Sequence, residues 1–386
     1  MDVPANTLFP SPSLRQRVPG LLTFVLVFAL SLTGLLMLFS VGRSLDEGRQ
    51  STFVVKQTIW LGVGLAAFFV TYRLNLEKLR PLVWLMGVGG LVLLVLVLLP
   101  GIGLLVNGAR RWISLGFMNM QVSDFAKIAF LFVLARYLSD NQRHMGEFVR
   151  GYVIPVSLVA IPCGLILLQP DFGTAALFGL VGGLLLFLGG ARLLYLIPSG
   201  IAALSLFAVA IYHDPIRFRR VMSFMDVEAH RNDATFQLWQ GLIAFGSGGL
   251  SGRGIGQGRQ QMAFLPEAHT DFIFPIIGEE LGLIATGAIT LAFLALFMVG
   301  MTQLLRAHNR YQFILGAGAL FFIIFQAIVN MGVATGLMPT KGMSLPFISY
   351  GGSNLVTMFI LTGLLLNCFE EWNRERPLAA RERRKS

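Results

Sequence analysis

The sequence predicts an all-α polytopic membrane protein of about ten transmembrane helices with one large extracytoplasmic loop. Three observations predict it. Only 13% of the 386 residues are charged and 55% are hydrophobic, whereas soluble domains are about 25% charged, so a soluble core is excluded. Apolar stretches of the length that crosses a bilayer, about 20 residues, recur along the whole chain. They fall near 20–41, 53–73, 81–100, 122–139, 152–168, 173–190, 193–212, 272–301, 311–336 and 352–370. Basic residues, finally, divide unevenly between alternate connections.

With the N-terminus cytoplasmic, segments on that side carry 17 Lys and Arg and those on the other side 11, of which six lie in one long connection. Short connections alone contrast 17 with 5. Retained positive charge marks the cytoplasmic face. Residues 1–19 and the basic tail 371–386 are therefore assigned to the cytoplasm, and 213–270 to the outside, within a single membrane domain spanning 1–386. The net charge of +10 suits cytoplasmic loops facing anionic lipid rather than nucleic acid. Cys163 and Cys368 both lie in apolar stretches, which excludes a disulfide frame and a zinc site. The first apolar run is too long for a signal-peptide core and no small-residue cleavage site follows it, so it is read as a retained span.

The polar residues within this apolar frame are the candidates for chemistry, because charge near a bilayer faces a partner or a cavity. Asp124 and Lys127 are three apart in the fourth stretch, on one helical face; they either pair structurally or line a polar cavity. Asp171 follows Gln169-Pro170 at the start of the sixth stretch, as an N-cap or a site residue. Glu279 and Glu280 lie about two turns into the eighth, and one of them is expected to face the protein interior as a structural polar group. Lys341 stands in PTKGMSLPFISYGGSN, placed to meet an anionic headgroup.

The external loop opens with DPIRFRRVMSFM, which alternates Arg217, Arg219 and Arg220 with Phe218, Val221 and Phe224, the pattern of a helix lying flat on a membrane. FQLWQGLIAFGSGGLSGRGIGQGRQ follows. Its glycine spacing is only superficially that of a dinucleotide site, since neither a strand–turn–helix unit nor a P-loop lysine accompanies it. It reads as a flexible or tightly turned segment. Its N–H groups, with Arg253 and Arg259, either face a phosphate or form a plain connection. The loop closes on LPEAHTDFIF, residues 265–274. Asp271, preceded by Glu267 and His269, is there either a helix N-cap or an ionised carboxylate at the depth of a lipid-borne group.

LPEAHTDFIF with IIGEELG (276–282), GARRWISLG (108–116), QPDFGTA (169–175), GSGGLSGRGIG (246–256) and MPTKGMSLPFISYGGSN (338–354) resemble, in order and across nearly the whole chain, the SEDS family of bacteria: the shape, elongation, division and sporulation proteins. TKG before SYGG is similar to the division branch. Where that family carries Gln-Pro-Ser-Glu-x-x-Lys, this chain reads QVSDFAK, with Val122 and Asp124. Asn354 replaces a serine, and Phe236 stands where tyrosine is common.

The resemblance implies a peptidoglycan glycosyltransferase of the bacterial inner membrane that polymerises lipid II, with Asp271 matching the family's essential aspartate. A carboxylate there can take the proton of the attacking 4-hydroxyl. The leaving group is a pyrophosphate, so cations rather than a second acid must receive its charge. Arg253, Arg259, Lys341, Arg110, Arg111 and Lys127 are the candidates, with Asp124, Asp171, His269 and Glu267 as further substrate-binding residues. Mg²⁺ or Mn²⁺ can share this task, although no ligand cluster in the sequence establishes a metal site. The resemblance also implies a class B penicillin-binding protein transpeptidase as partner, among other divisome or elongasome membrane proteins. The competing readings are a lipid II flippase and a non-catalytic division scaffold.

Overall fold

The structure is a computed structural model that describes residues 14–42, 47–106, 108–114, 116, 119–231, 233, 235–258, 269–307 and 309–382. Among these residues twelve helices follow one another: α1 (Leu14–Gly42), α2 (Glu47–Arg73), α3 (Leu76–Leu96), α4 (Val122–Asp140), α5 (Val149–Leu167), α6 (Phe172–Leu188), α7 (Leu193–Tyr212), α8 (Pro215–Met225), α9 (Phe236–Gly248), α10 (Ile273–Leu304), α11 (Arg310–Ala334) and α12 (Gly352–Glu382). Each of the ten predicted stretches coincides with one of α1–α7 and α10–α12. Among the described residues, eight of these are long and apolar enough to cross a membrane. The other two are α6, which is shorter, and α4, which carries Asp124, Lys127, Arg136 and Asp140.

Burial orders the bundle. The spans of α11 and α12 are 78% and 89% buried, whereas no residue of the α7 span is buried. α11 and α12 therefore form the protein centre with α4, and α7 lies at the periphery, touching α6 and α8. α2 packs along α12, α3 along α4, and α6 against α5 and α11. Between apolar helices in lipid such contacts rest on close van der Waals packing rather than on hydrophobic transfer.

The chain departs from the sequence expectation in two connecting segments. Between α3 and α4 it forms a small antiparallel sheet of β1 (Gly103–Val106), β2 (Ala109–Ser114) and β3 (Asn119–Gln121) in that order, with Leu104 opposite Trp112 and Trp112 opposite Gln121. Strands this short give too few alternations for a period of two to show. The second departure is FQLWQGLIAFGSG, expected to be flexible or turned, which is the helix α9. Leu238, Gly241, Ala244 and Gly248 recur at three- and four-residue spacing and are buried, and α9 packs against α10.

α10 is broken inside the protein. Gly282 has φ 78° and ψ −175°, which interrupts the ladder of backbone hydrogen bonds. The glycine-rich segment after α9 replaces the missing partners. Arg253 N–H donates to Glu279 O (3.0 Å) and Gly254 N–H to Glu280 O (2.9 Å), while Leu283 and Ile284 N–H donate to Gly249 O (2.9 Å) and Leu250 O (3.2 Å). These loop amides are thus committed to α10, and the segment is neither a plain connection nor, at Arg253 and Gly254, a phosphate cradle. Both Glu279 and Glu280 are buried beside the break, where one was expected. Ser247 Oγ donates to Glu279 (3.4 Å) and Ser40 Oγ of α1 to Glu280 (2.8 and 2.6 Å).

A Cβ at residue 282 would lie 2.4 Å from both Gly252 N and Leu250 O, on a left-handed backbone. Gly282→Ala is therefore predicted to destabilise the protein by about 2–4 kcal/mol. Gly246→Ala, in open space on α9, is predicted to be neutral or mildly stabilising. Thermal unfolding in detergent measures both; equal melting temperatures for the two variants would show that the stitch carries no load.

Candidate active site

Asp271 lies in the turn that leads into α10. The N-cap position falls one residue later, on Phe272, and has no side-chain cap. The Asp271 carboxylate instead faces Gly342, where a Cβ would stand 2.4 Å from its Oδ2. Its backbone is clamped from α11: Asn330 Nδ2 donates to Asp271 O (2.8 Å) and to Met343 O (2.6 Å). Tyr350 N–H donates to His269 O (2.9 Å), and the His269 ring packs against Phe53 and Tyr350 with centroids 5.0 and 5.7 Å away. Asn330 and Gln326, two buried amides four residues apart in α11, are a signal that reading the charged residues alone missed. Such groups in a membrane helix mark a bonded interior face.

Lys341 extends from the same connection as Gly342 and pairs with Asp171, Nζ to Oδ1 at 3.1 Å. Asp171 is also the N-cap that its position after Gln169-Pro170 suggested. It caps α6, accepting from Thr174 N–H (3.3 Å) and Thr174 Oγ1 (2.7 Å). Arg111 holds the preceding turn, donating from Nε to Gln169 O (3.0 Å) and from Nη2 to Pro170 O (2.6 Å). Burial pushes the Asp171 carboxyl up, but Lys341, Arg111 and the hydrogen bonds together hold it below the usual carboxylate range. Burial lowers Lys341, and its carboxylate neighbours Asp171 and Asp271 only partly restore it. The ammonium is thus held by acids but poorly hydrated, the state of a cation ready to accept a further anion.

Asp271, Lys341 and Gly342 line a cleft of about 570 Å³ with Thr340, Phe272, Phe236, Gln237 and Asp233, and with Ile216, Arg219 and Arg220 of α8. The cleft thus brings two carboxylates, Asp271 and Asp233, and three cations together at one end of the bundle. Arg219 and Arg220 were read from sequence only as part of an interfacial helix. Phe236, one of the departures from the family pattern, lies in the wall.

The remaining candidates lie elsewhere. Asp124 and Lys127 form a buried pair at 2.9 Å. Asp124 also accepts from Ser353 Oγ (2.9 Å), and Lys127 donates to Gln326 Oε1 (3.1 Å). Gln326 in turn donates to Asn354 Oδ1 (2.9 Å). The shorter Asp124 and the unusual Asn354 are both absorbed into this network, which joins α4, α11 and α12. Arg110 donates to Gly103 O (2.6 Å) within the sheet, and Arg253 Nε to Ser247 O (3.1 Å) at the end of α9; neither lines the cleft. Arg259 and Glu267 lie outside the described residues. Among the described residues there is no group of three or more His, Cys, Asp or Glu able to hold a metal ion.

A carboxylate facing a cation-lined cleft at one end of a bundle of apolar helices defines a class: a polytopic membrane protein with a polar, cation-bearing cleft. Comparison with known proteins makes the class specific. The family described as "Cell cycle protein", comprising FtsW, RodA and SpoVE, matches residues 21–373. The chain is 39% identical over 354 residues to the probable peptidoglycan glycosyltransferase FtsW of Coxiella burnetii, covering 89% of this chain and 94% of that protein. It is 36% identical over 356 residues to the stage V sporulation protein E of Bacillus subtilis, covering 92% and 97%. Among solved structures, a chain of a peptidoglycan synthase complex superposes with a TM-score of 0.74 at 27% identity, covering 90% of this chain and 97% of that one. The rod shape determining protein RodA of Thermus thermophilus gives 0.68 at 27% identity, covering 91% and 96%. The chain belongs to the SEDS family, in its FtsW branch.

The Lys341–Asp171 pair gives a pH prediction. Asp171 raises the pKa of Lys341, and asparagine caps a helix as well as aspartate does. Asp171→Asn should therefore keep α6 folded but move the alkaline fall of activity to lower pH, because Lys341 then loses its proton earlier. The Asp171 carboxyl, lowered in the folded state, stabilises the fold above its ordinary range, and this contribution is lost as pH falls through the folded value. A pH profile of kcat/KM for both proteins decides it; superimposable alkaline limbs would contradict the coupling.

Proposed function

We propose that Asp271 is the general base with which this peptidoglycan glycosyltransferase polymerises lipid II. The observation that carries the reading is the placement of Asp271. Its carboxylate is turned away from its own helix and into a cleft that also holds Lys341. The acceptor 4-hydroxyl gives its proton to Asp271 as its oxygen attacks the anomeric carbon of the growing strand, and cationic groups receive the negative charge of the departing pyrophosphate. The sequence pattern supports cytoplasmic termini in the bacterial inner membrane, with the cleft outside. Cysteine labelling at residue 386 from the cytoplasmic side only is the expected result. Asp124, Lys127 and Glu280 are buried and bonded within the protein, which argues against a charged route across the membrane of the kind a flippase needs. The family resemblance and the likeness to a chain of a synthase complex support a class B penicillin-binding protein as partner.

Asp271→Asn preserves shape and removes the proton acceptor. Purified with the transpeptidase partner, this variant is predicted to co-purify normally and melt normally. Its glycan polymerisation should fall by at least about 100-fold, within the range by which a lost general base slows a reaction. Near-normal glycan chains from the asparagine variant would return Asp271 to a structural role.

A further inference from the structure

α8 shows three different faces to three surroundings. Ile216, Arg219 and Arg220, at positions i, i+3 and i+4, line the cleft that holds Asp271. Phe218, Met222 and Met225, at i, i+4 and i+7, are 36%, 42% and 78% exposed and form an apolar stripe suited to the lipid boundary. Arg217 fixes the roll between them. Its guanidinium stands 3.6 Å from the centroid of the Phe172 ring and its Nε lies 3.2 Å from Asp214, the N-cap residue of α8. Phe172 directly follows Asp171, the partner of Lys341. The helix is thereby locked with its apolar stripe outward and two arginines aimed into the cleft.

The cleft cations are not equally compensated. Lys341 is paired with Asp171, and Arg219 with Asp233. Arg220 makes no hydrogen bond or ion pair with any described residue. A guanidinium without a partner among the described residues, facing the cleft, matches a phosphate in charge and in the fork of its donors. We propose that Arg219 and Arg220 hold the pyrophosphate of the lipid-linked donor, Arg219 exchanging Asp233 for a phosphate oxygen. This assignment rests on the glycosyltransferase reading and supplies its electrophilic side.

In the step itself, the acceptor oxygen forms a bond to the anomeric carbon. The bond from that carbon to the phosphate oxygen breaks, its electron pair leaves on the pyrophosphate, and the hydroxyl proton passes to Asp271. Charge on the leaving group grows as the bond lengthens, so fixed cations stabilise the transition state more than the bound substrate. Arginine loss should consequently lower kcat and not only raise KM. The same guanidinium pair can also hold a phospholipid headgroup, the other phosphate present at this surface.

The full-length protein with its transpeptidase partner, reconstituted in neutral phosphatidylcholine vesicles and in vesicles containing phosphatidylglycerol, separates these sources. Arg219→Gln and Arg220→Gln are expected to reduce the rate of lipid II polymerisation about 10- to 100-fold in both kinds of vesicle, and Arg220→Lys by less. Inorganic pyrophosphate, the probe for the anion site, is expected to bind wild type measurably by calorimetry, and Arg220→Gln at least tenfold more weakly. Both arginines are on the protein surface, so melting temperatures should stay at the wild-type value. Normal polymerisation by the glutamine variants would overturn the proposal. So would a defect confined to anionic vesicles, which would make the pair a headgroup anchor, or pyrophosphate binding unchanged in Arg220→Gln. An inactive wild-type complex would instead sink the glycosyltransferase reading, and the calorimetry would still decide whether an anion site exists.

Discussion

Backbone polar groups that lie at membrane depth must find partners within the protein, and this constraint shapes the functional end of the molecule. Breaking α10 at Gly282 frees carbonyls and amides in the interior. The glycine-rich segment after α9 meets them with reciprocal backbone hydrogen bonds. Gly252 and Gly282 accept φ values of 77° and 78° there, in a space where a side chain would meet backbone. The same requirement recurs at Asn330, whose one amide group serves the carbonyls of both Asp271 and Met343. A carbonyl of the α10 entry and a carbonyl of the Lys341 connection are thereby joined through a third helix. The carboxylate and the ammonium that face the cleft are set on segments held by backbone contacts, and the geometry does not depend on the side chains alone.

Electrostatics then divides the charged residues into two populations. Asp124, Lys127, Glu279 and Glu280 are buried and bonded to serines, an amide or each other. Removing one partner from such a group leaves an uncompensated polar atom, which is costly out of water. The external population is different. Lys341 retains 26% side-chain exposure against 5% for Asp171, so it can add a contact toward the cleft without leaving its acid. Arg111 secures the turn that carries Asp171 and does not itself line the cleft. Three levels thus follow from one another: a held turn, a capped helix start that presents a carboxylate, and a lysine aligned by that carboxylate.

How much of this was legible in the sequence depended on the range of the interaction. Bilayer-length apolar stretches located the long helices of the bundle, eight of which among the described residues are long and apolar enough to cross a membrane, because each is a local property of composition. Asp271 was legible as a carboxylate at a polar–apolar boundary, and Asp171 as a cap, again for local reasons. The pairing of Asp171 with Lys341 spans 170 residues and has no local trace. Arg110 and Arg253 carried the same signal as Arg219 and Arg220, a basic residue in an external segment. Only folding separates those bonded to carbonyls from those lining a cleft. The roll of α8 is decided by Phe172 on another helix, which its own amphipathic pattern does not encode. The small sheet after α3 was hidden by its brevity, and α9 by glycines that read as turns but serve as close-packing positions.

The central claim is that the Asp271 carboxylate removes the acceptor proton from within the cleft. Chemical rescue tests it most directly. Asp271→Ala, purified with its partner and supplied with lipid II, should be inactive alone, and added formate should restore part of the polymerisation in proportion to its concentration, with chloride at equal ionic strength having no effect. Glycan chains formed by Asp271→Ala at a near wild-type rate without any added carboxylate would contradict the account.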